Sequence, residues 1–97
     1  MSIENREGRY WVVGPVTIRN AAALRDEGLK QFPPGGSDAV EVDLSAVTEV
    51  DSSALSLLFE WARVLSRQGK TIRFHNLTQN MRSLASVYEV LDLLPSA

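Results

Sequence analysis

Cysteine is absent from this 97-residue sequence, and histidine occurs only once, at His75. The absence of cysteine excludes disulfide bonds, thiol nucleophiles and thiolate metal ligands. With a single histidine and no cysteine, the chain lacks the set of ligands that a zinc or iron centre usually requires. We therefore expect no metal site, and no motif indicates any other cofactor. Because small secreted domains usually need disulfide bonds, the composition also favours the cytoplasm.

Long apolar runs and an excess of basic residues are also missing. The unbroken apolar runs are only a few residues long, and the first residues, MSIENREGRYW, are polar. These features predict neither a signal peptide nor direct membrane insertion. The formal net charge of −2 gives no general attraction to nucleic acid. The length suits one domain, residues 1–97, with one hydrophobic core.

The spacing of the apolar residues alternates between the two-residue period of strands and the longer period of helices. The predicted strands are residues 2–6, 9–13, 39–44 and 70–77. The strand at 39–44, AVEVDL, is rich in valine and is the best candidate for the centre of a sheet. A helix joins it to the strand at 70–77, so these two strands should be parallel.

Helices are predicted between these strands, which makes the chain a small α/β domain. The first helix begins after Asn20, the expected cap, and stops at the PPGG segment, 33–36. The second runs over residues 53–68, and the third follows the capping residue Thr78. A last turn closes the chain. The apolar face predicted for the third helix consists of Met81, Leu84, Ala85 and Tyr88.

The segment VDSSALSLL, residues 50–58, places Asp51, Ser52 and Ser53 at the start of the second helix. Side chains of Asp and Ser accept hydrogen bonds from the unpaired backbone N–H groups at helix N-termini. We therefore interpret the two serines first as capping residues. Asp51 could act as a general base, but no acid or nucleophile partner is visible. Capping or bracing of the loop is the better interpretation.

A serine hydrolase would need His75, because this chain has no other histidine. His75 lies at the end of a predicted strand, and no serine stands in a GxSxG elbow. We therefore interpret His75 as a surface histidine and expect no enzymatic activity.

A second apolar stripe on the second helix is formed by Leu57, Trp61 and Val64. It has two interpretations, since one side of a surface helix should be polar. The stripe could pack under the sheet as part of a broad core face. Alternatively, it could be an exposed partner-binding surface anchored by Trp61. Because it starts one turn from Ser52, the second interpretation places Ser52 at the rim of that surface.

Residues 42–72, VDLSAVTEVDSSALSLLFEWARVLSRQGKTI, resemble the STAS domain family, named for sulfate transporters and anti-sigma factor antagonists. The family pattern is a strand ending in DLS, then VD[ST], then an amphipathic helix that ends at a glycine. The segment WVVGPVTIRNAAAL, residues 11–24, fits the family's first strand end and following helix. Within the family, the chain is most similar to the small single-domain subunits of Mla phospholipid-transport ABC systems. It is a bare domain, and its ending, MRSLASVYEVLDLLP, resembles theirs.

The resemblance implies a mixed β-sheet with helices packed mainly on one face, and a regulatory, non-enzymatic binding role. The implied partner is the cytoplasmic ATPase subunit of a phospholipid-transporting ABC complex, which the chain would bind and activate in support of outer-membrane lipid asymmetry. The chain would then be cytoplasmic and peripheral to the inner membrane through its complex.

Ser52 and Asp43 match positions of the family motif. Ser52 matches the residue that transport-type members place against their ATPase. The alternative is an anti-sigma factor antagonist, whose partner is an anti-sigma factor kinase and which is regulated by phosphorylation at Ser52. Asp43, in the DLS segment, is interpreted as bracing the loop that carries Asp51 and Ser52.

Overall fold

The computed structural model describes residues 3–33 and 39–95, and these two ranges contain six strands and three α-helices. The strands are β1 (Ile3–Arg6), β2 (Arg9–Val12), β3 (Gly14–Val16), β4 (Val40–Asp43), β5 (Val47–Val50) and β6 (Ile72–His75). The helices are α1 (Ala21–Gln31), α2 (Ser52–Arg67) and α3 (Gln79–Val87), and a 3-10 turn, Leu91–Leu93, follows α3. Ser2 of the first predicted strand, residues 34–36 of the predicted helix stop and the last two residues of the predicted final turn lie outside the described ranges.

The main sheet has four strands in the order β1-β2-β4-β6. β1 pairs antiparallel with β2, whereas β2 pairs parallel with β4 and β4 parallel with β6, so the sheet is mixed. The predicted parallel pairing of the two strands that flank α2 is confirmed, with Val40 opposite Ile72 and Val42 opposite Phe74. The valine-rich strand β4 lies inside the sheet, as its composition predicts.

A second, two-stranded sheet, formed by β3 and β5, was not predicted from the sequence. β3 and β5 pair parallel, with Gly14 opposite Val47. Gly14 has a φ of 95°, in the left-handed region that glycine adopts without steric cost. This glycine lets the chain leave β2 and begin β3 after only one residue. The small sheet thereby joins the end of β2 to the segment that leads into α2.

Alternation along the strands gives the main sheet one buried face. Val42 and Phe74 are fully buried on that face, whereas Arg73 is exposed on the other. α2 contacts β6, α1 contacts β1, and the two helices pack against each other. The structure therefore confirms a small α/β fold with a mixed sheet and three helices.

The third helix follows its prediction except at its end. Thr78 caps it, because the Thr78 hydroxyl oxygen accepts a hydrogen bond from Met81 N at 3.3 Å. Met81 and Ala85 are fully buried. The prediction for Tyr88 is wrong: its side chain is 56% exposed. Tyr88 follows the last helical residue, and Glu89 then takes a left-handed φ of 58°, which turns the chain away from the helical path.

Lys70 is buried between the end of α2 and the start of β6. It is only 4% exposed, and its Nζ has no hydrogen-bond partner among the described residues. Burial of an ammonium group without a partner opposes folding. The rest of the core must therefore offset this unfavourable contribution.

None of the helices in the described ranges is both long and apolar enough to cross a lipid bilayer. The longest, α2, has 16 residues and is amphipathic. Its exposed side carries Ser56 and Arg63, and its buried side carries Leu58 and Leu65. This pattern is typical of a helix that covers a sheet.

Candidate partner-binding site

Ser52 is exposed as the first residue of α2, and Asp51 is the cap. Oδ1 of Asp51 accepts a hydrogen bond from Ser53 N at 2.8 Å, which satisfies one of the free N–H groups at the start of the helix. The prediction that the two serines cap α2 is therefore wrong, and the capping role considered for Asp51 is confirmed. The Ser52 side chain is left for contacts outside the helix.

Asp51 also braces a neighbouring loop. Its second oxygen, Oδ2, accepts a hydrogen bond from Ile18 N at 2.9 Å. The hydrogen bond from Ile18 N contributes most to holding the pKa of Asp51 below its ordinary value, and those from Ser53 add to it. The carboxylate is thus kept charged, and it fixes the loop between β3 and α1 beside Ser52.

Asn20 holds the same loop from its other side. Its Oδ1 accepts a hydrogen bond from Thr17 N at 2.9 Å, and its Nδ2 donates one to Pro15 O at 2.8 Å. Asn20 precedes α1, but its side chain makes no capping hydrogen bond. The predicted N-cap position is confirmed, but the predicted capping hydrogen bond is not formed, because the carboxamide of Asn20 closes the loop instead.

The second apolar stripe of α2 is a contact between helices. Leu57 is 3% exposed, Trp61 is completely buried and Val64 is half-buried. The indole Nε1 of Trp61 donates a hydrogen bond to Arg25 O in α1 at 3.2 Å. The interpretation of Leu57 and Trp61 as an exposed docking surface is therefore wrong, and the core interpretation is correct.

The burial of Trp61 depends on α1. Its ring meets Phe32 edge-to-face, with the ring centroids 5.3 Å apart, and lies against Gly28. Truncating a buried aromatic residue typically costs about 3–5 kcal/mol of stability. A Trp61→Ala variant would therefore test folding of the domain rather than binding to a partner.

The exposed surface at Ser52 continues into a groove between α2 and the end of α3. The groove has a volume of about 450 Å³. Its lining residues come from α2 and from the turn after α3: Ser52, Leu55, Ser56, Phe59, Glu60, Arg63, Tyr88 and Val90. An apolar floor beneath a polar rim is typical of sites that receive a side chain of a partner. We call these residues the α2–α3 groove.

A smaller depression, of about 360 Å³, lies on the other side of Ser56, between α1 and α2. Ile18, Ala22 and Ser53 contribute to it. Ile18 is 76% exposed, although it is apolar. Sequence reasoning missed Ile18 as well as Tyr88. The signal for Ile18 was an apolar β-branched residue in a segment whose neighbours, Thr17 and Asn20, favour a loop.

Asp43 is a buried carboxylate that braces the ends of three strands. Oδ1 accepts hydrogen bonds from Ser45 N at 2.9 Å and from the Ser45 hydroxyl at 2.7 Å. Oδ2 accepts hydrogen bonds from Arg9 at 3.0 Å and from Asn76 at 2.9 Å. Burial tends to raise the pKa of Asp43, but the hydrogen bonds outweigh it and the pKa lies below its ordinary value. Asp43 thus braces the loop after β4 and links it to β2 and to the residue after β6, so the predicted bracing of the loop that carries Asp51 and Ser52 is wrong. Asp51 is not among its hydrogen-bond partners.

His75 is half-buried and forms a hydrogen bond with Glu41 on the neighbouring strand β4. Glu41 also accepts a hydrogen bond from Arg73, at 2.6 Å. The hydrogen bond with His75 contributes most to holding the pKa of Glu41 below its ordinary value, and Arg73 adds to it. These hydrogen bonds thus link β4 to β6. In residues 3–33 and 39–95, no three His, Cys, Asp or Glu side chains stand close enough to hold a metal ion.

Comparison with known proteins agrees with this geometry. A family model described as "Mlab, STAS domain" matches residues 3–95. Among solved structures, the anti-sigma factor antagonist SpoIIAA in its unphosphorylated form is similar, with a TM-score of 0.71. The match covers 98% of this chain and 85% of SpoIIAA at 13% sequence identity, so it bears on the fold. No curated protein sequence matches the chain.

The family model identifies a STAS domain, a class of regulatory and binding domains. The family match spans nearly the whole chain, so the chain belongs to the Mlab-type STAS domain family. The resemblance inferred from residues 42–72 is thereby confirmed.

Proposed function

We propose that the chain is a non-enzymatic regulatory subunit that binds and activates the cytoplasmic ATPase of a phospholipid-transporting ABC complex. Through that complex it would help to maintain outer-membrane lipid asymmetry, and it would be held at the inner membrane by its partner. The observation that carries this proposal is the match of residues 3–95 to the Mlab-type family. The partner is inferred from the resemblance of this family to the small subunits of Mla transport systems.

The proposed docking surface is centred on Ser52 and includes Asp51 and Ser53 beside it. It extends along the exposed side of α2 over Ser56 and across the α2–α3 groove. A groove of about 450 Å³ has room for one or two large side chains of a partner. Trp61 keeps a supporting role, because it fixes α2 against α1.

A binding role agrees with the hydrogen bonds of Asp51 and His75. Asp51 is engaged in two hydrogen bonds to backbone N–H groups, and His75 is paired with Glu41. A serine hydrolase would instead need a histidine and a carboxylate aligned on one serine hydroxyl. These arrangements support a surface that is rigid and exposed rather than reactive.

The second candidate is an anti-sigma factor antagonist that is phosphorylated at Ser52 and whose partner is an anti-sigma factor kinase. The fold likeness to SpoIIAA favours it, as does the exposure of Ser52 at a helix N-terminus. The positive end of the helix dipole tolerates the negative charge of a phosphate there. The carboxylate of Asp51, one residue away, would oppose it.

Co-purification separates the two candidates. The tagged chain is expressed in its native cells, and captured proteins are identified by mass spectrometry. We expect an ABC ATPase, whose rate of ATP hydrolysis rises when the purified domain is added. Capture of a sigma-regulating kinase without an ABC ATPase, together with phosphate on Ser52, would reverse the ranking of the two candidates.

A further inference from the structure

Ile18 is an apolar side chain that is both exposed and rigidly presented. Its side chain is 76% exposed, yet its backbone N–H is hydrogen-bonded to Oδ2 of Asp51 at 2.9 Å. The Asn20 carboxamide closes the same loop through Thr17 N and Pro15 O. The backbone around Ile18 is therefore fixed, while its side chain packs on little of its own domain.

Ile18 is also continuous with the surface around Ser52. The carboxylate that holds Ile18 N also caps α2 at Ser53, one residue beyond Ser52. Ile18 borders the depression between α1 and α2 to which Ser53 and Ser56 contribute. The surface at the start of α2 thus has an apolar residue on its α1 side and the α2–α3 groove on the other.

We propose that Ile18 is an apolar anchor of the docking surface and inserts into an apolar pocket of the ABC ATPase subunit. This inference rests on the proposed function and adds a contact residue to the same site. Single exposed apolar residues are common on protein surfaces. Ile18 differs because its loop is already ordered in the free domain, so little conformational entropy is lost when a partner encloses it.

The test is a binding titration of the purified ABC ATPase from the same organism with four forms of the domain: wild type, Ile18→Ser, Ile18→Leu and Leu93→Ser. Leu93 is the matched control, because it is 68% exposed and lines neither of the two depressions beside Ser52. We expect Ile18→Ser to weaken binding about tenfold or more, as loss of an interface anchor does. Ile18→Leu and Leu93→Ser should bind within about threefold of the wild type. Thermal melts should show all three variants folded, since both positions are exposed.

Binding by Ile18→Ser at wild-type strength would overturn this inference and leave the proposed function standing. An equal loss in Leu93→Ser would also overturn it, because the effect would then belong to exposed apolar residues in general. If the wild-type domain does not bind the ATPase at all, the proposed function fails and the inference fails with it.

Discussion

Gly28 of α1 lies against the indole ring of Trp61 of α2. A Cβ atom placed on Gly28 would stand 2.6 Å from Cζ2 of that ring, closer than non-bonded carbon atoms approach. The ring has little freedom to move, because it is fully buried, meets Phe32 edge-to-face and donates a hydrogen bond to Arg25 O. The absence of a side chain at Gly28 therefore sets how closely the two helices pack.

Gly28→Ala should destabilise the domain, although alanine is the better helix former. In an unconstrained helix the change would stabilise by about 1 kcal/mol. Here the added methyl group collides with a fixed ring, and overpacking of a core typically costs about 1–3 kcal/mol. We expect a net loss, measured as the free energy of unfolding in urea. The reverse change at an exposed site of the same helix, Ala23→Gly, measures the helix propensity alone. A gain of about 1 kcal/mol in Gly28→Ala would show that the ring does not confine this position.

The same pair shows what the sequence could predict. The spacing of Leu57, Trp61 and Val64 establishes a stripe on a helix, but periodicity does not tell what the stripe faces. That depends on α1, which is distant in sequence and packs on α2 through its own small residue, Gly28. A glycine inside a predicted helix was the available signal, since it usually marks a close approach.

Lys70→Met should raise the stability of the domain. Methionine keeps an unbranched apolar chain of similar length and removes the buried ammonium group, whose Nζ has no hydrogen-bond partner among the described residues. Removing an unpaired buried polar group should stabilise by about 1–3 kcal/mol. Lys30→Met, at an exposed position, is the control and should change stability by less than about 0.5 kcal/mol. A clear loss of stability in Lys70→Met would show that the ammonium group stabilises the fold.

Asp43 should make folding sensitive to acid. Its pKa is lower in the folded domain than in the unfolded chain, where an aspartate has a pKa of about 3.9. Its charged form therefore stabilises the fold fully above about pH 4, and this contribution is lost as the pH falls through the lower, folded pKa. In urea unfolding measured from neutral pH to pH 3, the wild-type stability should fall at the acid end.

Asp43→Asn should be less stable than the wild type at neutral pH and should depend less on pH below about pH 4. Part of the acid sensitivity should remain, because the pKa values of Asp51 and Glu41 are lowered as well. An unchanged slope of stability against pH in Asp43→Asn would exclude Asp43 as a source of the acid sensitivity.

The candidate site could be predicted only in part. The order of motifs located Ser52 at the start of a helix, because Asp and Ser favour such positions. The choice of cap among three adjacent residues depends on backbone angles, and here the extended conformation of Asp51 makes it the cap. The exposure of Ile18 depends on the hydrogen bonds by which Asp51 and Asn20 hold its loop, and the exposure of Tyr88 depends on the left-handed conformation of Glu89. Neither arrangement produces a periodic pattern in the sequence.

Substitution of Ser52 should separate folding from binding. Ser52 is not the cap of α2, so Ser52→Ala should change stability by less than about 0.5 kcal/mol. In Ser52→Asp, attraction to the helix dipole of about 0.3–1 kcal/mol is opposed by the neighbouring Asp51 carboxylate. Both variants should therefore melt close to the wild type. At an interface, however, the new carboxylate must be desolvated without a partner, which is unfavourable.

The most direct measurement is capture of the ABC ATPase by wild type, Ser52→Ala, Ser52→Asp and the charge-matched control Ser83→Asp, with a thermal melt of each form. Ser83 is exposed on α3 and does not line the α2–α3 groove. We predict that Ser52→Asp stays folded but captures much less ATPase, whereas Ser52→Ala and Ser83→Asp capture nearly as much as the wild type. Wild-type capture by a well-folded Ser52→Asp would contradict the account and place Ser52 outside the docking surface.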